Sequence, residues 1–234
     1  MTTAARTLAI GDVHGCAAAF DAVLDAAAPR AGDVVVTLGD YVDRGPDSRG
    51  VLDRLVRWPV DRPEARLVPL RGNHEVMMLD ARKSPADAHR WLSCGGEAAL
   101  LSYAGRPGGP GQLEDVPAAH WTILEDRLLG YFETDTHFFV HANAYADRPL
   151  DEQPDFMLYW ESWHEPPPPH ENGKVMVCGH TAQRSGFPRV TPYAICLDTA
   201  ACRGQWLTCL CCETGELWQA NQAGETRSLW LDEV

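Results

Sequence analysis

The chain has 234 residues, 45% of them hydrophobic, enough to bury one sizeable core, and a single domain over residues 1–234 is expected. Its formal net charge of −13 repels nucleic-acid backbones and anionic membranes, which argues against either as a general partner. No apolar run approaches the roughly 18 residues of a membrane helix, and MTTAARTLAI leads into a strand-like segment without an apolar signal region, so a cytoplasmic protein is expected.

Residues 7–10 read as a strand and 16–28 as an Ala-rich helix. DVVVTL at 33–38 is a continuous apolar run of the kind found in buried strands. A helix at 50–57, a third strand at 66–70 and the start of another helix at 76–81 follow. This β-α-β-α-β order predicts an α/β fold with a largely parallel central sheet. GRPGGPG at 105–111 reads as an exposed loop, and 165–173, with Pro166 to Pro169 in a row, as a surface loop within the domain rather than a linker. Later strands are expected at 137–140, 175–178, 194–197, 206–212 and 217–220, with the turn signal ETGE at 213–216 making the end antiparallel. Of eight cysteines, five fall late: Cys196, Cys202, Cys209, Cys211 and Cys212. They read as small buried thiols rather than a disulfide scaffold or a metal cluster.

Five polar clusters each follow one of these strands: GDVHG (11–15), GDYVDRG (39–45), RGNHE (71–75), His141, and GHT (179–181). In open α/β sheets ligands sit beyond the carboxyl ends of strands, so the clusters can converge on one place. Asp12, His14, Asp40, Asn73, His141 and His180 supply carboxylate, imidazole and amide groups, a mixture suited to a borderline divalent ion such as Mn²⁺, Fe²⁺ or Zn²⁺. Six such groups exceed one catalytic site with an open position but suit two ions bridged by a carboxylate. Singly, each cluster has a bland reading: a capped turn, a core histidine, a left-handed asparagine beside glycine. Five in order, each behind a strand, do not share one.

Taken together, GDVHG, GDYVDRG, RGNHE, a strand-terminal His and GHT resemble the metallophosphoesterases of the phosphoprotein phosphatase (calcineurin-like) superfamily, bacterial serine/threonine protein phosphatase type, from about Ile10 to Thr181. The resemblance implies a central β-sandwich of mixed sheets flanked by helices. It implies a hydrolase that cleaves phosphate monoesters by attack of a metal-bridging water, on a phosphorylated protein or a small phosphoester. Asp12, His14 and Asp40 would hold one ion, and Asp40 would bridge to a second held by Asn73, His141 and His180, with Mn²⁺ favoured. His74 would be the general acid oriented by Asp43, and Arg44 and Asn73 would bind the phosphate. These roles are chemically sound: an imidazole can protonate a leaving alkoxide near neutral pH, and a guanidinium matches two phosphate oxygens.

The chain departs from that pattern in places. His141 is followed by Ala-Asn rather than a glycine-containing pair, and LYWES at 158–162 aligns Trp160 but places Ser162 where an arginine is expected, beside Glu161. Arg184 or Arg148 would then have to supply a second grip on phosphate. Cys16 after GDVHG and Pro46 after VDRG are similar to the symmetrical diadenosine tetraphosphate hydrolases, an alternative substrate reading, whereas Asp43 and Glu75 favour the protein phosphatases. A metal-binding scaffold without catalysis is a third reading, opposed by the presence of His74 and Arg44.

Overall fold

The computed structural model describes residues 5–104 and 111–234, so the loop expected at 105–111 lies, but for Gly111, outside the described residues. Among the described residues eleven strands form two mixed sheets. The first contains β1 (Thr7–Ile10), β2 (Val34–Thr37), β3 (Arg66–Pro69), β9 (Leu207–Cys211), β10 (Glu216–Ala220) and β11 (Thr226–Trp230), in the order β11-β10-β9-β1-β2-β3. The second contains β4 (Tyr131–Glu133), β5 (His137–Val140), β6 (Val175–Cys178), β7 (Arg189–Val190) and β8 (Ala194–Cys196), in the order β4-β5-β6-β8-β7. β1, β2 and β3 pair in parallel, as do β5, β6 and β8, while β9 to β11 form the antiparallel end.

Strand alternation explains why the sheets stack. In β1, Ala9 faces a core shared with Val36, Leu38, Val68, Phe139, Val177, Ile195 and Leu210, residues drawn from both sheets. Its neighbours Leu8 and Ile10 face the other way, into a larger core with the helices. That layer comprises α1 (Ala17–Ala27), α2 (Ser48–Asp61), α3 (Asn73–Asp80), α4 (Pro85–Trp91), α5 (Glu97–Tyr103) and α6 (Ala118–Asp126). On the outer face of the second sheet, Phe138, Val140, Met176 and Cys196 pack with Leu158 and Tyr159 of α7 (Asp155–Tyr159) and with Trp163. The sandwich flanked by helices is thus present.

Several elements differ from expectation. The helix expected from 76 begins at Asn73, so Asn73 and His74 occupy its first turn, with the Glu75 carboxylate accepting from the Gly72 N–H. The helices between 85 and 126 and the strands β4, β7 and β11 were not anticipated. All eight cysteines are free, and Pro166, Pro168 and Pro169 are exposed.

Candidate active site

β1, β2 and β3 in one sheet and β5 and β6 in the other each hand over to one polar cluster, and the clusters meet. Asp40 lies at the centre. Its Oδ2 is 3.3 Å from His14 Nε2, and its Oδ1 is 3.5 Å from His141 Nε2. Asn73 Oδ1 is 3.1 Å from His141 Nε2 and 3.0 Å from His180 Nδ1, and those two nitrogens are 3.2 Å apart. The side chains whose ligand atoms converge within 4.8 Å are His14, Asp40 and His74 on one side and Asp40, His141 and His180 on the other.

The second nitrogen of each of three imidazoles is committed to a backbone carbonyl: His14 Nδ1 to Val42 at 2.9 Å, His141 Nδ1 to Leu38 at 2.8 Å, and His180 Nε2 to Trp160 at 3.0 Å. A carbonyl only accepts, which assigns the proton to those nitrogens and turns three lone pairs inward. Burial keeps the rings neutral, lowering His14 to about 3, His180 to about 4, and His141 below its ordinary value. His141, His180 and Asn73 therefore present acceptors to one another with no proton between them. Such a set is completed by a cation.

The carboxylates make the same demand. Asp12, Asp40 and Asp198 are each at most 3% exposed. Burial, then Asp198 and Asp40, pushes the Asp12 carboxyl well up; burial and Asp40 raise Asp198 to about 6. Among the described residues the ionic contacts of Asp40 are all with imidazoles, its Oδ1 also accepts from the His74 N–H at 3.1 Å, and although burial opposes it, the surrounding histidines hold its carboxyl low. Asp12 is placed by a different contact: its two oxygens accept from the His180 N–H at 3.1 and 3.0 Å. Gly179 makes that possible, since a Cβ there would stand 2.0 Å from Asp12 Oδ1.

His74 is treated differently from the other imidazoles. Its Nδ1 is 2.5 Å from Asp43 Oδ2, and its Nε2 is 3.9 Å from Asp40 Oδ2. Burial alone would lower this imidazole, but Asp40 and then Asp43 outweigh it and raise its pKa, favouring the protonated form. Beside it, Arg44 Nη1 approaches His14 Nε2 at 2.6 Å, and the Arg44 N–H donates to Gly95 O at 3.1 Å. His14, Asp40, Asp43, Arg44 and His180 all have φ between 42° and 74°. Left-handed backbone at non-glycine residues costs energy and persists where surrounding structure enforces it, as at functional sites.

A family model described as calcineurin-like phosphoesterase matches residues 5–201. The chain belongs to the calcineurin-like phosphoesterases. Members bind divalent metal ions, and the convergent His and Asp groups are of the type that holds them. This phosphoesterase is 39% identical over 141 residues to serine/threonine-protein phosphatase 1 of Salmonella typhimurium, covering 60% of this chain and 58% of that one. It is 35% identical over 78 residues to a symmetrical bis(5'-nucleosyl)-tetraphosphatase of Paraburkholderia phymatum, covering 33% of this chain and 26% of that one. The chain thus spans less than two thirds of either relative's length. A solved structure assigned provisionally as a diadenosine tetraphosphatase superposes with a TM-score of 0.64 at 21% identity, covering 98% of this chain and 95% of that one, which shows the fold.

Three residues that sequence reasoning did not assign to the site shape it in this phosphoesterase. Trp91, at the end of α4, donates from Nε1 to both oxygens of Asp43. Glu75, fully buried, accepts from the backbone N–H of Asp40, Tyr41, Val42 and Gly72 at 2.8, 2.7, 3.3 and 2.9 Å and so pins the GDYVDRG loop to the GNHE loop. Burial and the nearby Asp40 raise its carboxyl to about 7. Asp198 follows β8 and adds a further buried carboxylate. Of the candidate arginines, Arg148 stacks 5.4 Å from the Tyr145 ring centroid and Arg184 is exposed. Ser162 stands beside Glu161 on the wall of a groove.

Proposed function

We propose that this chain hydrolyses phosphate monoesters, acting on phosphorylated serine or threonine in proteins with two divalent ions, Mn²⁺ foremost. The observation that carries the reading is Asp40, whose two oxygens face two separate sets of imidazole lone pairs. Asp12, His14 and Asp40 would hold one ion, and Asn73, His141 and His180, sharing Asp40, the other. Bound there, the ions would neutralise phosphoryl oxygens and lower the pKa of an attacking water. The name of the Salmonella relative supports the protein-phosphatase assignment. Eight free thiols and the absence, among the described residues, of a helix long and apolar enough to cross a membrane fit a cytoplasmic setting.

The chain's own residues supply the remaining chemistry. His74, whose protonated form Asp40 and then Asp43 favour, donates its Nε2 proton to the departing alkoxide. Asp43 fixes the His74 tautomer by accepting from Nδ1, and the Trp91 N–H holds Asp43 in turn. Arg44, rigid in backbone and beside His14, engages the phosphoryl oxygens with Asn73 as a second donor. The test is metal-dependent turnover of p-nitrophenyl phosphate. Hydrolysis should require added Mn²⁺, stop on chelation and be absent in Asp40→Asn. Undiminished hydrolysis in the chelated protein would contradict the reading.

A further inference from the structure

A groove of about 680 Å³ opens beside the metal-ligand cluster. Two segments build its walls, and both are tied to the cluster. One runs from Asn143, two residues beyond His141, through Tyr145 to Asp147. The other contains Glu161, Ser162 and Glu165 with Pro166 to Pro168. Glu161 and Ser162 are clamped to the GHT loop at both ends: His180 Nε2 donates to the Trp160 carbonyl at 3.0 Å, and the Trp163 N–H donates to Thr181 Oγ1 at 2.8 Å. A phosphate held at the cluster would therefore extend its leaving group toward this groove.

The chemistry of the walls selects among leaving groups. Asp147, Glu161 and Glu165 line the groove together with His164, and among the described residues no lysine or arginine does. Among the described residues none of these three carboxylates has an ion-pair partner, and Arg148, stacked on Tyr145, lies outside the lining. Tyr145 and Phe156, 42% and 56% exposed, add aromatic surface beside the prolines. Three uncompensated carboxylates repel a polyphosphate chain and attract cations. Rings and prolines favour an apolar polypeptide flank over a hydrated one.

We propose that this groove receives the polypeptide flanking a phosphorylated residue and selects flanks carrying arginine or lysine with apolar neighbours, disfavouring dinucleoside polyphosphates. The proposal rests on the phosphoesterase reading above and gives it a substrate class. It also accounts for Ser162, because an arginine on this wall would cancel Glu161.

The test compares kcat/KM, with Mn²⁺ present, on two phosphoserine peptides differing only in arginine or glutamate flanks, and on diadenosine tetraphosphate. Partly exposed charge pairs each contribute little, so three predict a preference of roughly five- to tenfold for the arginine-flanked peptide. The ratio between the peptides is read within one protein preparation, so loss of folded material does not affect it. It should fall toward unity in the double variant Glu161→Gln, Glu165→Gln, and fall in the unaltered protein as salt is raised. Equal rates on the two peptides in the unaltered protein, a preference that survives in the variant, or faster turnover of the dinucleotide would overturn the proposal while leaving the phosphoesterase reading intact. No turnover of any of these substrates or of p-nitrophenyl phosphate would overturn both.

Discussion

Trp91 Nε1 lies 2.9 and 3.0 Å from the two oxygens of Asp43, and Asp43 Oδ2 lies 2.5 Å from His74 Nδ1. A buried indole thus holds the carboxylate that holds the candidate acid. Trp91→Phe keeps much of the packing and removes the donor, and a buried hydrogen bond to a charged group is worth about 1.5–3 kcal/mol. A loss of roughly tenfold or more is expected on alkyl phosphates, with a smaller loss on activated aryl phosphates. A leaving-group series on the variant checks this, and a uniform loss would point to general destabilisation instead.

His74→Asn should show the same dependence more strongly. General acid catalysis contributes about 10²–10⁴-fold when the leaving group is poor and much less when it is good. Plotting rate against leaving-group pKa should give a steeper slope than in the unaltered protein. Parallel slopes would leave His74 a role in binding but none in proton transfer.

Asp40→Asn removes the negative charge and puts an amide NH2 in place of one of the two oxygens that face the two imidazole sets. Elemental analysis after dialysis against Mn²⁺ should find fewer than two ions per chain, and turnover should vanish. Two retained ions would refute the bridging assignment.

Arg44 has no ready substitute, since Arg148 is stacked on Tyr145 and Ser162 is neutral. Loss of a charge-assisted donor to a transferring phosphoryl group costs on the order of 10²–10³ in rate, and Arg44→Ala should lose at least that on p-nitrophenyl phosphate. Ser162→Arg, if the side chain reaches the phosphate, should raise turnover of the same substrate. An active Arg44→Ala would direct attention to Arg184.

Away from the site, Asp33 is buried and accepts from Arg6 Nη2 at 2.6 Å, Arg6 Nε at 3.0 Å and the backbone N–H of Arg6 and Arg30. Burial alone would raise its carboxyl, but these bonds outweigh it and hold it below the ordinary value. A depressed folded-state pKa adds stability above the unfolded-state pKa, and that stability drains away as pH falls through the folded value. Asp33→Asn should therefore lower Tm at neutral pH, with the gap narrowing in melts below about pH 3.5. A constant gap across the range would mean the loss is one of packing.

Much of the site was legible because each of the five polar clusters directly follows a strand, and most of those four-residue strands are apolar runs that are largely buried. Asp40 and His180 were recognisable as ligand-type side chains behind strands, whereas a role for His74 came only from the family resemblance. Trp91 was not recognisable: it closes a seven-residue helix whose sequence, PADAHRW, carries no chemical signature, and it meets Asp43 from 48 positions away. Glu75 was visible as part of a motif, but its work as acceptor for four backbone N–H groups depends on how two loops fold together. Asp198 is a lone carboxylate after a strand, indistinguishable in sequence from a turn residue. The strands β4 and β7, three and two residues long, are too short for any alternation to register.

The pairing of β1 has a consequence in time. On one side β1 takes β2, which leaves the ribosome soon after it; on the other it takes β9, where Leu8 faces Cys211, and the Thr7 N–H donates to the Glu213 carboxylate. During synthesis the strand that leads into Asp12 and His14 must wait with one edge open until some two hundred further residues have emerged. An open edge beside hydrophobic neighbours is a template for wrong pairing, and closing so long a loop is slow. The first of the candidate ligands to be made are thus among the last to be fixed, and overproduction that outruns this closure should yield aggregates seeded at β1.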